Sequence, residues 1–154
     1  MNDARTPKVD RPKAALLVTL IVNVLWVGRP AVVERALRIL DDLADRRVSA
    51  LAPLLAENVV LRTPMYWKHR EGRALALQLI VGVASVFGEL TYVRKWISGN
   101  DIALEFATTV GGLDVKGVDL FKLDTSGLVC EMEVMVRPPN ALIEIRKRMG
   151  AIAA

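Results

Sequence analysis

Apolar positions along this chain recur with two spacings, and the change from one to the other marks out its elements. Over residues 30–43, Val33, Ala36, Leu37, Ile39, Leu40 and Leu43 fall three and four residues apart, with Glu34, Arg35, Arg38, Asp41 and Asp42 on the other side. That pattern predicts an amphipathic helix with Pro30 at its first position. A second short helix is expected over 48–55, starting near Ser49, followed by a short strand over 59–63. Residues 63–72 read as a polar and aromatic loop at a cavity mouth. Residues 73–87 are apolar nearly all round, at Leu75, Leu77, Leu79, Ile80, Val81, Val83, Val86 and Phe87. Such a helix is buried on most sides, between a sheet and another layer or subunit. Period-2 runs then follow over 89–97, 102–110, 113–123 and 128–136, separated by Ser98-Gly99-Asn100-Asp101, Gly111-Gly112 and Asp124-Thr125-Ser126-Gly127. These turns predict an antiparallel meander. In the closing helix Asn140 is placed as the cap, Leu142, Ile145 and Met149 face inward, and Arg146, Lys147 and Arg148 suit the carboxyl end.

Within the third of these runs, alternation puts Leu113, Val115, Gly117, Asp119, Phe121 and Leu123 on one face and Lys116 and Lys122 on the other. A carboxylate on a face that reads as core has to be paired, protonated or lining a cavity, because burying it bare costs several kcal/mol, roughly. If Gly111-Gly112 is a two-residue turn, Leu104 pairs with Asp119, and Ile102, Leu104 and Phe106 share the acid's face. Glu105, Lys116, Glu131 and Glu133 then gather on the opposite face. A three-residue bulged turn would instead place Glu105 beside Asp119.

At 154 residues the chain is of single-domain size. The expected division is a basic leader with an apolar segment over 1–29, as helix or anchor, and one domain over 30–154. The formal charge of +4 is concentrated in the leader, so the body is near neutral and shows no basic stripe interleaved with aromatics. Nucleic acid is therefore not an expected partner. The apolar run at 14–28 is short for a spanning helix of about 20 residues and is interrupted by Asn23. It is read as packed against the domain or a second subunit, with membrane association or cleavage as the other options. The expected location is cytoplasmic. The single Cys130 excludes an internal disulfide, and its place in an apolar strand marks a buried, inert thiol. One His with one Cys argues against a transition-metal site, and no phosphate loop or Ser/His/Asp order appears, so no cofactor is expected.

Helices, strand, loop, helix and meander, with Ala56-Glu57-Asn58-Val59-Val60-Leu61, Glu71-Gly72-Arg73, Gly117-Val118-Asp119-Leu120-Phe121 and Val134-Met135-Val136-Arg137-Pro138, resemble the SnoaL-like branch of the nuclear transport factor 2-like superfamily over about 31–150. The resemblance implies an α+β fold: a cone-shaped, curved antiparallel sheet wrapped on about three helices, here with an extra hydrophobic amino-terminal segment. The superfamily contains ketosteroid isomerases, polyketide cyclases, dehydratases and limonene-1,2-epoxide hydrolases, along with members that only bind or dimerise, so fold alone assigns no chemistry. The epoxide hydrolases use an Asp-Arg-Asp set with Tyr and Asn; at what look like the matching places this chain has Leu61, Thr63, Val134 and Ala107 or a near neighbour, so that chemistry would need a non-standard site. Isomerases and cyclases of this shape use a buried Asp for proton transfer, and Asp119 is the residue that suits a comparable role.

The candidate catalytic residues are Asp119, as proton-transfer group, His69, as a proton partner in the rim loop, and Tyr66, as a donor to a developing oxyanion. The candidate ligand-binding residues are Thr63, Tyr92, Trp96, Leu104, Phe106, Phe121 and Met132. The structural alternative for Asp119 is an acid held by a loop or by Arg62, Arg94 or Arg137. Two function classes stand: a cofactor-independent isomerase, cyclase or dehydratase acting on a hydrophobic small molecule, and a non-catalytic ligand-binding or dimerisation module. The apolar helix over 73–87 and the amino-terminal segment predict a homodimer.

Overall fold

A 3-10 helix over Val48–Leu54 leads straight into strand β1, Leu55–Arg62, in a computed structural model that describes residues 34–35, 38–39 and 48–152. The leader, the apolar run at 14–28 and most of the helix expected over 30–43 lie outside the described residues. The pieces of that helix that are described are helical: Ile39 is buried, and Glu34 and Arg38 form an exposed pair at 3.5 Å. Strand β1 starts four residues earlier than its alternation predicts. Leu55 and Ala56 are both buried while Glu57 and Asn58 are both exposed, and a register irregularity between Leu55 and Val60 absorbs the broken period.

The loop after β1 is shorter than expected, because Arg70–Glu71 forms a two-residue strand, β2, antiparallel to Val60 and Leu61. Helix α1 follows over Arg73–Val86, then β3 (Thr91–Ser98), β4 (Asp101–Val110), β5 (Leu113–Leu123), β6 (Val129–Arg137) and helix α2 (Pro139–Ile152). The sheet order is β2-β1-β6-β5-β4-β3. Strands β3 to β6 are the expected antiparallel meander, but β1 joins β6 in parallel, so the sheet is mixed rather than wholly antiparallel. Helix α2 begins with Pro139, whose missing N–H is no loss at a first helical position, and Asn140 lies inside the helix instead of capping it.

The β4–β5 hairpin has the register the two-glycine turn predicts. Val110 faces Leu113 and Leu104 faces Asp119, and Gly111 and Gly112 both take positive φ, as a tight primed turn demands. The inner face of the sheet carries Phe106, Val110 and Val115, which form a buried cluster with Ala141 and Ile145 of α2; Val83, Phe87 and Met149 pack against it. Helix α1 differs from the all-round burial its composition predicts. Ala76 and Ile80 are buried, whereas Leu75 and Val81 are exposed, because fewer positions face the sheet than there are apolar residues to fill them. No helix of the described residues is long and apolar enough to cross a membrane.

Candidate functional site

On the inner face of β5, Asp119 stands between Gly117 and Phe121, two residues from each along the strand, with Leu104 of β4 and Val134 of β6 as its cross-strand neighbours. A cavity of about 130 Å³ opens beside it. The sheet contributes Tyr92, Phe106, Asp119 and Phe121, the loop after β1 contributes Thr63 to Met65, and the two helices close the other side with Ile80, Val83, Ile145 and Met149. Among the described residues no Lys, Arg or His lines the hollow, and the polar side chains there are Thr63, Tyr92 and Asp119. Asp119 is half-buried by accessible surface, and the surface it keeps borders this cavity.

The acid's partner is the Tyr92 hydroxyl, which donates to Oδ2 at 3.1 Å. Burial penalises the charged carboxylate and pushes Asp119 up to about 7, against a smaller downward pull from that hydrogen bond. Tyr92 is driven upward, chiefly by burial and then by the neighbouring acid, so its hydroxyl stays a donor. Of the guanidinium groups expected as alternatives, Arg62 is engaged by Glu131 at 2.7 Å and Arg94 by Glu105, both through side chains of the outer face. The Arg94 contact holds Glu105 below the usual carboxylate range.

A bulge decides which aromatic residues of β3 reach the site. Arg94 and Trp96 face Glu105 and Ala103 on the outer side, yet Tyr92, of the same parity, faces Phe106 on the inner side, because the register shifts between Tyr92 and Arg94. Tyr92 therefore lines the cavity, while Trp96 is about half exposed with the Arg94 guanidinium 5.2 Å from its ring centroid. Thr63, Phe106, Phe121 and Met132 also line the cavity; Leu104 is fully buried in the sheet and does not.

His69 and Tyr66 are not among the lining residues. His69 is exposed and bonds Glu71 at 2.8 Å, and Tyr66 is half exposed beneath the Arg70 guanidinium. The Tyr92–Asp119 contact is the feature that period-2 counting misses, since the bulge reverses the parity on which such counting depends. Cys130 is half-buried and donates to the Lys122 carbonyl at 3.4 Å, with burial pushing its thiol up. Among the described residues no group of three His, Cys, Asp or Glu side chains gathers in a way that could hold a metal ion.

No protein-family model matches the chain, and no curated protein sequence does. Solved structures do. A steroid delta-isomerase from Pseudomonas aeruginosa is 31% identical, with a TM-score of 0.76 over 79% of this chain and 90% of the isomerase. A bacterial protein with a cystatin-like fold from Silicibacter pomeroyi is 37% identical, with a TM-score of 0.73 over 76% of this chain and 83% of its own. An NTF2-like protein from Cytophaga hutchinsonii shares the fold at 21% identity, with a TM-score of 0.61 over 77% of this chain and all of the other. Curved sheet, flanking helices and these matches together place the chain in the nuclear transport factor 2-like superfamily.

Proposed function

We propose that this protein is a cofactor-independent proton-transfer enzyme of the isomerase or cyclase type, acting on a small, neutral, hydrophobic molecule with Asp119 as the group that moves the proton. One observation carries the reading: among the described residues Asp119 is the single carboxyl lining a mostly apolar cavity, and burial pushes it up to about 7. A proton-transfer group works best when its pKa lies near the operating pH, where both the accepting and the donating form are populated. As carboxylate, Asp119 takes a proton from the carbon next to a carbonyl, and the C–H electrons move toward the carbonyl oxygen. As the acid it returns the proton to another carbon of the same conjugated system. Tyr92 fixes the carboxyl through Oδ2. With no cation among the described lining residues, an anionic substrate would find no counter-charge there. The name of the Pseudomonas relative, a steroid delta-isomerase, supports the isomerase side of this reading.

The test needs no knowledge of the natural substrate. Deuterium exchange at the α-carbons of cyclohexanone, followed by NMR, is expected to be accelerated by the protein and to fall ~100-fold or more in Asp119→Asn, the usual scale of a general acid–base contribution. The rate should rise with pH through about 7 as the carboxylate forms. Equal exchange by the two proteins would remove Asp119 from the mechanism.

The cavity's size favours a second reading, a non-catalytic binding or dimerisation module with a vestigial cavity. At about 130 Å³ it falls below the ~300 Å³ of a typical ligand pocket and a little below the ~150 Å³ cavity that takes up benzene. A ligand-binding module without catalysis would bind the ketone and leave its exchange rate at the background. The same proposal includes a second copy of the chain as partner, since Leu75 and Val81 leave apolar surface on α1.

A further inference from the structure

Gly117 sits mid-strand without a positive φ, so no turn requires a glycine there. Space does. A Cβ at 117 would overlap Cζ of Phe106 and stand 2.6 Å from its Cε1 and 2.5 Å from the Met135 carbonyl oxygen. The Phe106 ring, projecting from the neighbouring strand at the paired position, therefore lies where a side chain of β5 would otherwise stand. Its far side meets Phe87, with ring centroids 6.1 Å apart, and the ring belongs to the buried cluster with Ala141 and Ile145. Phe106 is nevertheless also a lining residue of the cavity that holds Asp119.

We propose that Phe106, laid over Gly117, is the part of the cavity wall that limits the ring size of the ligand beside Asp119, which makes this pair of residues a determinant of specificity. The inference rests on the reading of the cavity as a ligand site. It follows from the placement. Gly117 and Phe121 flank Asp119 along β5, and the Phe106 ring, itself a lining residue, fills the space over Gly117 and packs near Phe87. A shorter side chain at 106 leaves the acid and Tyr92 in place and widens the hollow over Gly117.

Calorimetric titration of the full chain with cyclohexanone and with the two-ring ketone 1-tetralone tests this. Wild type is expected to prefer cyclohexanone. Phe106→Leu is expected to shift the ratio of the two dissociation constants at least fivefold toward 1-tetralone, and Phe106→Met, whose flexible chain also vacates the ring's plane, supplies the same measurement should the leucine variant fail to fold. An unchanged preference in a folded variant that still binds overturns the proposal and leaves the ligand-site reading standing. Failure of both ketones to bind wild type overturns the two together.

Discussion

Asp119 couples the site to the stability of the fold. Its carboxyl titrates at about 7 in the folded chain against an ordinary 3.8, so well below 3.8 both states are protonated and the acid costs nothing. Between about 4 and 7 the unfolded chain ionises while the folded one does not, and stability drains as pH rises. Above 7 the full difference is lost, ~4 kcal/mol at 1.36 kcal/mol for each pH unit of separation. Denaturant unfolding from pH 4 to 8 should show Asp119→Asn gaining on wild type across that window, and parallel curves would contradict a buried, near-neutral acid. This residue was legible in the sequence because strict alternation from Leu113 to Leu123 leaves one acid among apolar neighbours. Its partner was not, because a bulge in β3 is a backbone event with no residue signature: Tyr92 and Trp96 look equivalent when counted by twos and end on opposite faces.

Strand β5 is the element on which the site is built, and its tolerance of change differs sharply from position to position. Gly117→Ala forces a methyl against the Phe106 ring and the Met135 carbonyl oxygen, and overpacking of this kind costs ~1–3 kcal/mol. Shortening Phe106 to Leu in the same chain should relieve the ring part of the clash and leave the backbone part. A double-mutant cycle by chemical unfolding is therefore expected to give a stabilising coupling of ~0.5 kcal/mol or more, and strict additivity would show that the ring and the glycine are independent. The hairpin register was readable from Gly111-Gly112 and the two faces it reconciles. The limits of β1 were not: Leu55-Ala56-Glu57-Asn58 breaks the period, and only the pairing with β6, far along the chain, makes those residues strand. Helix α1 is apolar to a degree that overstates its burial, since composition counts apolar residues but not the width of the surface available to cover them.

At the scale of the whole molecule, the exposed Leu75 and Val81 on α1 and the exposed Val93, Trp96 and Met135 of the sheet are apolar surface that a second copy of the chain would cover in the proposed dimer. Sedimentation at micromolar concentration should give a species of twice 16.9 kDa, and a single species at the monomer mass would refute the assembly proposed above. The parallel seam between β1 and β6 bears on the order in which the molecule is made. Arg62 reaches its partner Glu131 across 69 positions of sequence, so a ribosome releases β1 long before the neighbour that will complete it. Until residues 129–137 emerge, β1 has only the two-residue β2 beside it, and the apolar edge at Val59 and Leu61 is a site where a nascent chain can pair with a stranger. A message cut short before the last strand would yield a polypeptide holding most of its meander and none of its closure, a substrate for chaperones or proteases and not a smaller working protein.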